Sequence, residues 1–193
     1  MKKAVFFDRD GTINKEVNYL IKKEDIEFMP GLTEALVMLK EAGFLNIIIT
    51  NQSAVARGLL SIEELESIHN EFFNRLNKNE KILIDDIFYS PYHIDGIVEK
   101  FKVEHRDRKP DIGLIEKATA KYNINLKESF FVGDSYTDMK CAANAKLKKI
   151  MMMTGYGKRD FKKCLDENII IECPADNLIE AASFILNNSV PDN

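Results

Sequence analysis

The feature that most limits how this chain folds is an alternation. Apolar runs of three to five residues recur between longer segments of helical period. Runs that short suit buried strands, and the intervening segments are long enough for helices that cover a sheet, so the pattern is that of an α/β domain. The spacing predicts strands over 4–7, 46–49, 86–89, 129–132, 148–152 and 169–171. Helices are predicted over about 31–42, 62–77, 112–122, 137–145, 159–167 and 177–186. In the first of these Leu32, Ala35, Leu36 and Leu39 make one apolar stripe, and Ser61 with Glu64 forms a capping box that opens the second. The polar stretch 95–107 reads as a loop. No connection is long enough to hold a further domain. The expectation is one domain over 1–193, a doubly wound, largely parallel sheet with helices on both faces.

At 193 residues such a sheet can bury a sizeable core, and the 45% hydrophobic and 30% charged content is ordinary for a globular protein. The formal charge of -4 leaves no basic excess to neutralise nucleic-acid phosphates, so nucleic acid is not the expected partner. Cys141, Cys164 and Cys173 are odd in number and have no metal-ligand spacing, which predicts reduced thiols. Only four apolar residues separate Met1-Lys2-Lys3 from Asp8, too few for a signal peptide, and no run is long enough to cross a bilayer. A cytoplasmic monomer with no membrane partner is expected.

Chemistry concentrates at strand ends. The first predicted strand runs into Phe6-Phe7-Asp8-Arg9-Asp10-Gly11-Thr12. Ligands of open α/β sheets bind beyond the carboxyl ends of strands, and residues two apart on extended chain face the same side. One carboxylate can then attack while the other handles a proton. Taken alone, Asp-Arg-Asp-Gly is also the composition of an acidic turn. Two further strand ends tip the balance. Ile47-Ile48-Ile49 stops at Thr50-Asn51-Gln52, a hydroxyl and two amides suited to phosphate oxygens, and Phe130-Phe131-Val132 stops at Gly133-Asp134 with Asp138 one turn on. Arg108-Lys109-Pro110, just before a predicted helix, adds a cation that the proline would hold at the strand-end surface. Other conspicuous residues have plain readings. Met151-Met152-Met153 reads as a buried strand, Cys141 as a small core residue, and His69 as a surface or packing residue of its helix.

With these four elements in order, the chain resembles the haloacid dehalogenase superfamily of phosphohydrolases over nearly its whole length. Thr50-Asn51-Gln52-Ser53, Ala56-Arg57-Gly58 and Arg108-Lys109-Pro110 are similar to the branch that holds heptose-bisphosphate and histidinol-phosphate phosphatases. The resemblance implies a capless phosphatase for a small phosphorylated metabolite. Asp8 would be the nucleophile and Asp10 the general acid and base. Mg2+ would be held by the Asp8 carboxylate, the Asp10 carbonyl and Asp134, with Thr50 and Lys109 on the transferring phosphoryl group. Asn51, Gln52, Arg57, Arg108 and the 14–23 segment would hold the rest of the substrate, Arg108 foremost because its planar fork suits a second phosphate or sugar oxygens. The expected reaction removes one phosphate from a heptose 1,7-bisphosphate. A histidinol-phosphate or other small-metabolite phosphatase, and a non-catalytic phospholigand-binding module, remain the alternatives.

The chain departs from the branch in two places. The branch's zinc loop of Cys-x-His and Cys-x-Cys pairs is met here by Ser90, Tyr92, His105 and Asp107, so no structural zinc is expected. Tyr92, Phe101 and Val103 are expected to order that loop instead. Ser135 stands where the family often has a lysine. Its role, and that of Asp138 as an outer metal partner or a helix-start anion, are left open by the sequence.

Overall fold

The computed structural model describes residues 1–78 and 81–189. In chain order its main elements are β1 (Ala4–Phe7), α1 (Leu32–Glu41), β2 (Leu45–Asn51), α2 (Ile62–Leu76), β3 (Asp86–Ser90) and α3 (Gly113–Tyr122). They continue with β4 (Phe130–Gly133), α4 (Tyr136–Asn144), β5 (Lys148–Met152), α5 (Gly157–Asp166), β6 (Cys173–Ala175) and α6 (Leu178–Asn187). The six strands form one sheet in the order β3-β2-β1-β4-β5-β6, and every pairing is parallel. The chain therefore winds outward from β1 in one direction, returns to place β4 on the other side of β1, and winds outward again.

Strand period accounts for the two-sided core. Val5 and Phe7 of β1 join Ile48, Val132 and Ile150 on one face, packed by Leu32, Leu36 and Leu39 of α1, Phe72 of α2 and Ile185 of α6. Ala4 and Phe6 point the other way, to a cluster with Ile47, Phe131, Met151, Leu114 of α3, Met139 and Cys141 of α4 and Cys164 of α5. Burial on both faces is what continuous apolar strands such as Ile47-Ile48-Ile49 require. The Ser61–Glu64 capping box is present, with the Ser61 hydroxyl 3.1 Å from the Glu64 amide nitrogen.

One predicted strand moves. The run 169–171 is not a strand; β6 begins at Cys173. Asn168, at φ 56°, ends α5, and the amides of Asn168 and Ile169 donate to the carbonyls of Leu165 and Cys164. This is a Schellman close, in which Ile169 folds back into the core cluster that holds Cys164 and Met151 without pairing as a strand. The 95–107 stretch is a loop apart from a 3-10 turn at Glu99–Phe101. Among the described residues no helix is long and apolar enough to cross a membrane.

Candidate active site

The winding direction reverses between β1 and β4, and the crevice at their carboxyl ends is where open α/β sheets bind ligands. Asp8 follows β1, with its amide donating to the Val132 carbonyl at 2.9 Å, and Asp134 follows β4. Thr50 lies in β2 beside them. These residues, with Asp10, Asn51, Gln52, Arg108, Lys109 and Asp138, line a cavity of about 590 Å³, a volume suited to a small metabolite. Glu16, Asn18, Tyr19, Tyr156 and Arg159 form its outer wall.

Lys109 is not at the surface as the sequence suggests. Its side chain is 3% exposed, and Nζ donates to Asp8 Oδ1 (2.7 Å), Asp138 Oδ1 (2.5 Å) and the Ile49 carbonyl (2.9 Å), which uses all three ammonium protons. The backbone beneath it is clamped by Asn51, whose amide accepts from Lys109 N (3.0 Å) and donates to Lys109 O (3.1 Å). Asp138 resolves into two roles. Its Oδ1 pairs with Lys109, while Oδ2 accepts from the Ser135 amide (3.0 Å) and hydroxyl (2.6 Å), closing a capping box on α4. Ser135 is thus the N-cap of the helix that carries the lysine's partner. Gly11 has φ 82°, and a Cβ there would collide with the Asp134 carboxylate, so the turn after Asp10 must be glycine.

Oxygens of Asp8, Asp134 and Asp138 all lie within 4.8 Å of one another. Burial, with the charge of Asp138 next, pushes the Asp8 carboxyl up to about 7 and that of Asp134 up to about 8. Lys109, held up by Asp138 and Asp8 against its burial, supplies one positive charge to three carboxylates. A divalent cation with a preference for oxygen ligands fits that deficit and that donor set, and Asp8 and Asp134 are the carboxylates not already committed to a helix cap.

Asp10 lives in the opposite field. Despite its burial, the Arg9 guanidinium and the donors around it hold its carboxyl below the usual range. Arg9 Nε and Nη2 grip both its oxygens at 2.8–3.2 Å, Asn14 Nδ2 donates to Oδ1 at 2.9 Å, and Gln52 Nε2 donates to Oδ2 at 2.9 Å. Gln52 is fully engaged: Nε2 also donates to Thr50 Oγ1 (2.8 Å), and Oε1 accepts from Arg9 Nη2 (2.9 Å). Its amide braces the site in addition to lining it. Arg57 does not line the cavity. Its Nη2 lies 3.5 Å from His93 Nε2, and its charge bears on Arg108, whose Nη1 donates to the Tyr92 carbonyl at 3.0 Å.

Sequence reasoning missed Arg9 and left His69 open between a surface and a packing residue. Arg9 is wholly buried, and His69, 5% exposed, is a packing residue that sits against it. A charged residue between two aspartates was the available signal for Arg9. Of the loop residues expected to cluster, Tyr92 stacks on His105 (centroids 4.0 Å, 18°) and approaches Phe101 (5.9 Å), whereas Val103 stays 44% exposed. His105 Nδ1 accepts from the Asp107 amide, and Asp107 is paired with Lys117.

Comparison with known proteins agrees with this geometry. The HAD-hydrolase-like family model matches residues 107–172. The chain is 39% identical over 155 residues to the D-glycero-alpha-D-manno-heptose-1,7-bisphosphate 7-phosphatase of Photorhabdus laumondii, covering 80% of this chain and 84% of that one. To the D-glycero-D-manno-heptose-1,7-bisphosphate 7-phosphatase of Chlorobaculum tepidum it is 30% identical over 187 residues, 94% and 92% of the two chains. The crystal structure of D,D-heptose 1,7-bisphosphate phosphatase from B. bronchiseptica, complexed with magnesium and phosphate, superposes with a TM-score of 0.81 at 27% identity, covering 97% and 99%. The chain belongs to the haloacid dehalogenase superfamily, in the branch of these heptose-bisphosphate phosphatases.

Proposed function

We propose that this protein is a Mg2+-dependent phosphatase that acts through an aspartyl-phosphate on Asp8 and removes one phosphate, the 7-phosphate, from a heptose 1,7-bisphosphate. The observation that carries the reading is the set Asp8, Asp134 and Lys109 at the β1–β4 crevice, facing a cavity of about 590 Å³. Asp8 attacks phosphorus in line, its oxygen bonding as the bond to the sugar oxygen breaks. Asp10, ionised in the free protein, takes up a proton as the anionic substrate brings its charge into the site, gives it to that oxygen, and later takes one from the water that cleaves the aspartyl-phosphate. Asp8, Asp134 and the Asp10 carbonyl would hold Mg2+, whose charge would offset repulsion between the carboxylate and the phosphate. Two like charges ~4 Å apart repel by about 4 kcal/mol at an effective dielectric of 20, roughly a thousandfold in rate. Lys109 and Thr50 hold phosphoryl oxygens, and Arg108 takes the distal phosphate, with Asn51 and Gln52 shaping that wall.

One sheet, with a core on each of its faces, supports reading 1–193 as one domain. Phosphate release from heptose 1,7-bisphosphate, from histidinol phosphate and from neither distinguishes the readings. Glu16 on the outer wall is the observation that favours the second, because a carboxylate suits the histidinol amine. Higher kcat/KM for the heptose is expected. Asp134→Ala should raise the Mg2+ needed for half activity by orders of magnitude, and an unchanged titration would place the metal elsewhere.

A further inference from the structure

Among the described residues Arg9 is the largest fully buried side chain, and an arginine so placed needs a reason. Three groups surround its guanidinium besides Asp10. Gln52 Oε1 accepts from Nη2, His69 Nε2 lies 3.2 Å from Nη1, and the Phe72 ring sits beneath it at 5.6 Å. His69 and Phe72 are one turn apart on α2, so a single helix face presents both. Guanidinium has no acceptor atom, which makes Nε2 of His69 the acceptor and puts the ring proton on Nδ1. Burial, reinforced by the charge of Arg9, lowers His69 to about 3, so the ring remains a neutral acceptor at working pH.

From this geometry we infer that His69 and Arg9 are positioning residues: α2, through His69, fixes the plane of the Arg9 fork, and the fork fixes the carboxylate of Asp10 for proton transfer to the leaving oxygen. The inference rests on the proposed role of Asp10 as general acid. A carboxylate free to rotate about its last bond meets the leaving oxygen only part of the time. A two-point grip on both oxygens, itself held at its far end by His69 and at its side by Gln52, removes that freedom. Neither His69 nor Arg9 lines the cavity, so neither touches substrate. Asn14 and Gln52 donate to the same carboxylate but from small amides, and neither spans both oxygens.

The role separates from simple structural support by leaving group. In the first step the bond from Asp8 oxygen to phosphorus forms, the bond from phosphorus to the leaving oxygen breaks, and that oxygen keeps the electron pair. A sugar alkoxide needs the Asp10 proton at that moment, whereas p-nitrophenolate departs without it. Because kcat/KM reports events up to the formation of the phospho-aspartate, it isolates this step from the later attack of water. Heptose 1,7-bisphosphate and p-nitrophenyl phosphate are therefore compared, with Mg2+ present, for the wild type, His69→Leu, His69→Gln and Arg9→Lys. His69→Leu should lose about tenfold or more in kcat/KM on the sugar phosphate and much less on the aryl phosphate. His69→Gln, which keeps an acceptor oxygen, should recover most of the loss. Arg9→Lys, which keeps the charge and loses the fork, should show the same split, and it decides the question alone if His69→Leu does not fold. Equal losses on both substrates would overturn the inference while leaving the phosphatase reading intact. A wild type that releases phosphate from neither would overturn the phosphatase reading itself.

Discussion

Asp8 and Asp10 stand two positions apart, yet their carboxyls occupy opposite surroundings. Asp8 shares its pocket with Asp134 and Asp138 and has one lysine for relief, so burial and like charge push its carboxyl up. Asp10 faces only donors, and Arg9 pulls it down. The difference fits a nucleophile that waits for a cation and a partner held in one orientation. Asp8→Asn should abolish both the phosphoenzyme and turnover, as seen by phosphate release and by mass spectrometry of trapped protein. Asp10→Asn should cut turnover by about 10²–10⁴ while leaving the Mg2+ titration in place, because the main-chain carbonyl survives the change. At this scale much was legible: Asp8, Asp10, Thr50, Asn51, Gln52 and Asp134, all named from sequence at strand ends, line the crevice. What stayed hidden was burial. Nothing in the order of residues says that Arg9 and Lys109 point inward, since a charge reads as solvated until the fold supplies its partners, and those partners lie up to 101 positions away.

Among the elements, α4 ties the site to secondary structure most directly. Its capping box and the Lys109 ion pair share the Asp138 side chain, so helix start and charge balance depend on each other. Ser135→Ala removes the cap and should cost ~1 kcal/mol in chemical unfolding. It should also lower kcat, whereas Ser61→Ala, the corresponding cut in α2 far from Asp138, should lower stability alone. The 90–107 loop makes a second case. Tyr92 stacked on His105 and the Asp107–Lys117 pair order the loop through contacts that need no metal, and both histidines already accept a backbone amide at Nδ1. Elemental analysis of protein purified without chelator should find no stoichiometric zinc, and zinc bound through His93 and His105 would refute this. The stacking could not be read in advance because it joins residues 13 positions apart across an irregular loop, where neither strand nor helix period applies. The misplaced sixth strand has the same origin, for Ile169 is apolar in either role and only the left-handed Asn168 before it decides which.

For the whole molecule, the acidic crevice links stability to cation and pH. Carboxyls raised in the folded state, as those of Asp8 and Asp134 are, stabilise the fold fully below their unfolded values near 4 and lose that contribution as pH rises towards about 7 and 8. With the metal held as proposed, protons and Mg2+ would compete for one site. The rise in melting temperature on adding Mg2+ should be small at pH 5 and larger at pH 8, and Asp134→Ala should flatten the difference. The order of the sheet carries a further consequence, one of time. The pairing of β1 with β4 joins segments about 125 residues apart, and the Ala4 amide reaches the Ser129 hydroxyl across the same span. Contacts so distant in sequence are slow to form, since a long loop must close before they stabilise anything. Helices and the local β1–β2 and β4–β5 pairs can assemble first in each half of the chain, but the two aspartates that end β1 and β4 meet only when the halves join. In a refolding experiment, helical signal should return ahead of Mg2+ affinity and phosphatase activity, with the last two returning together as the central pairing closes.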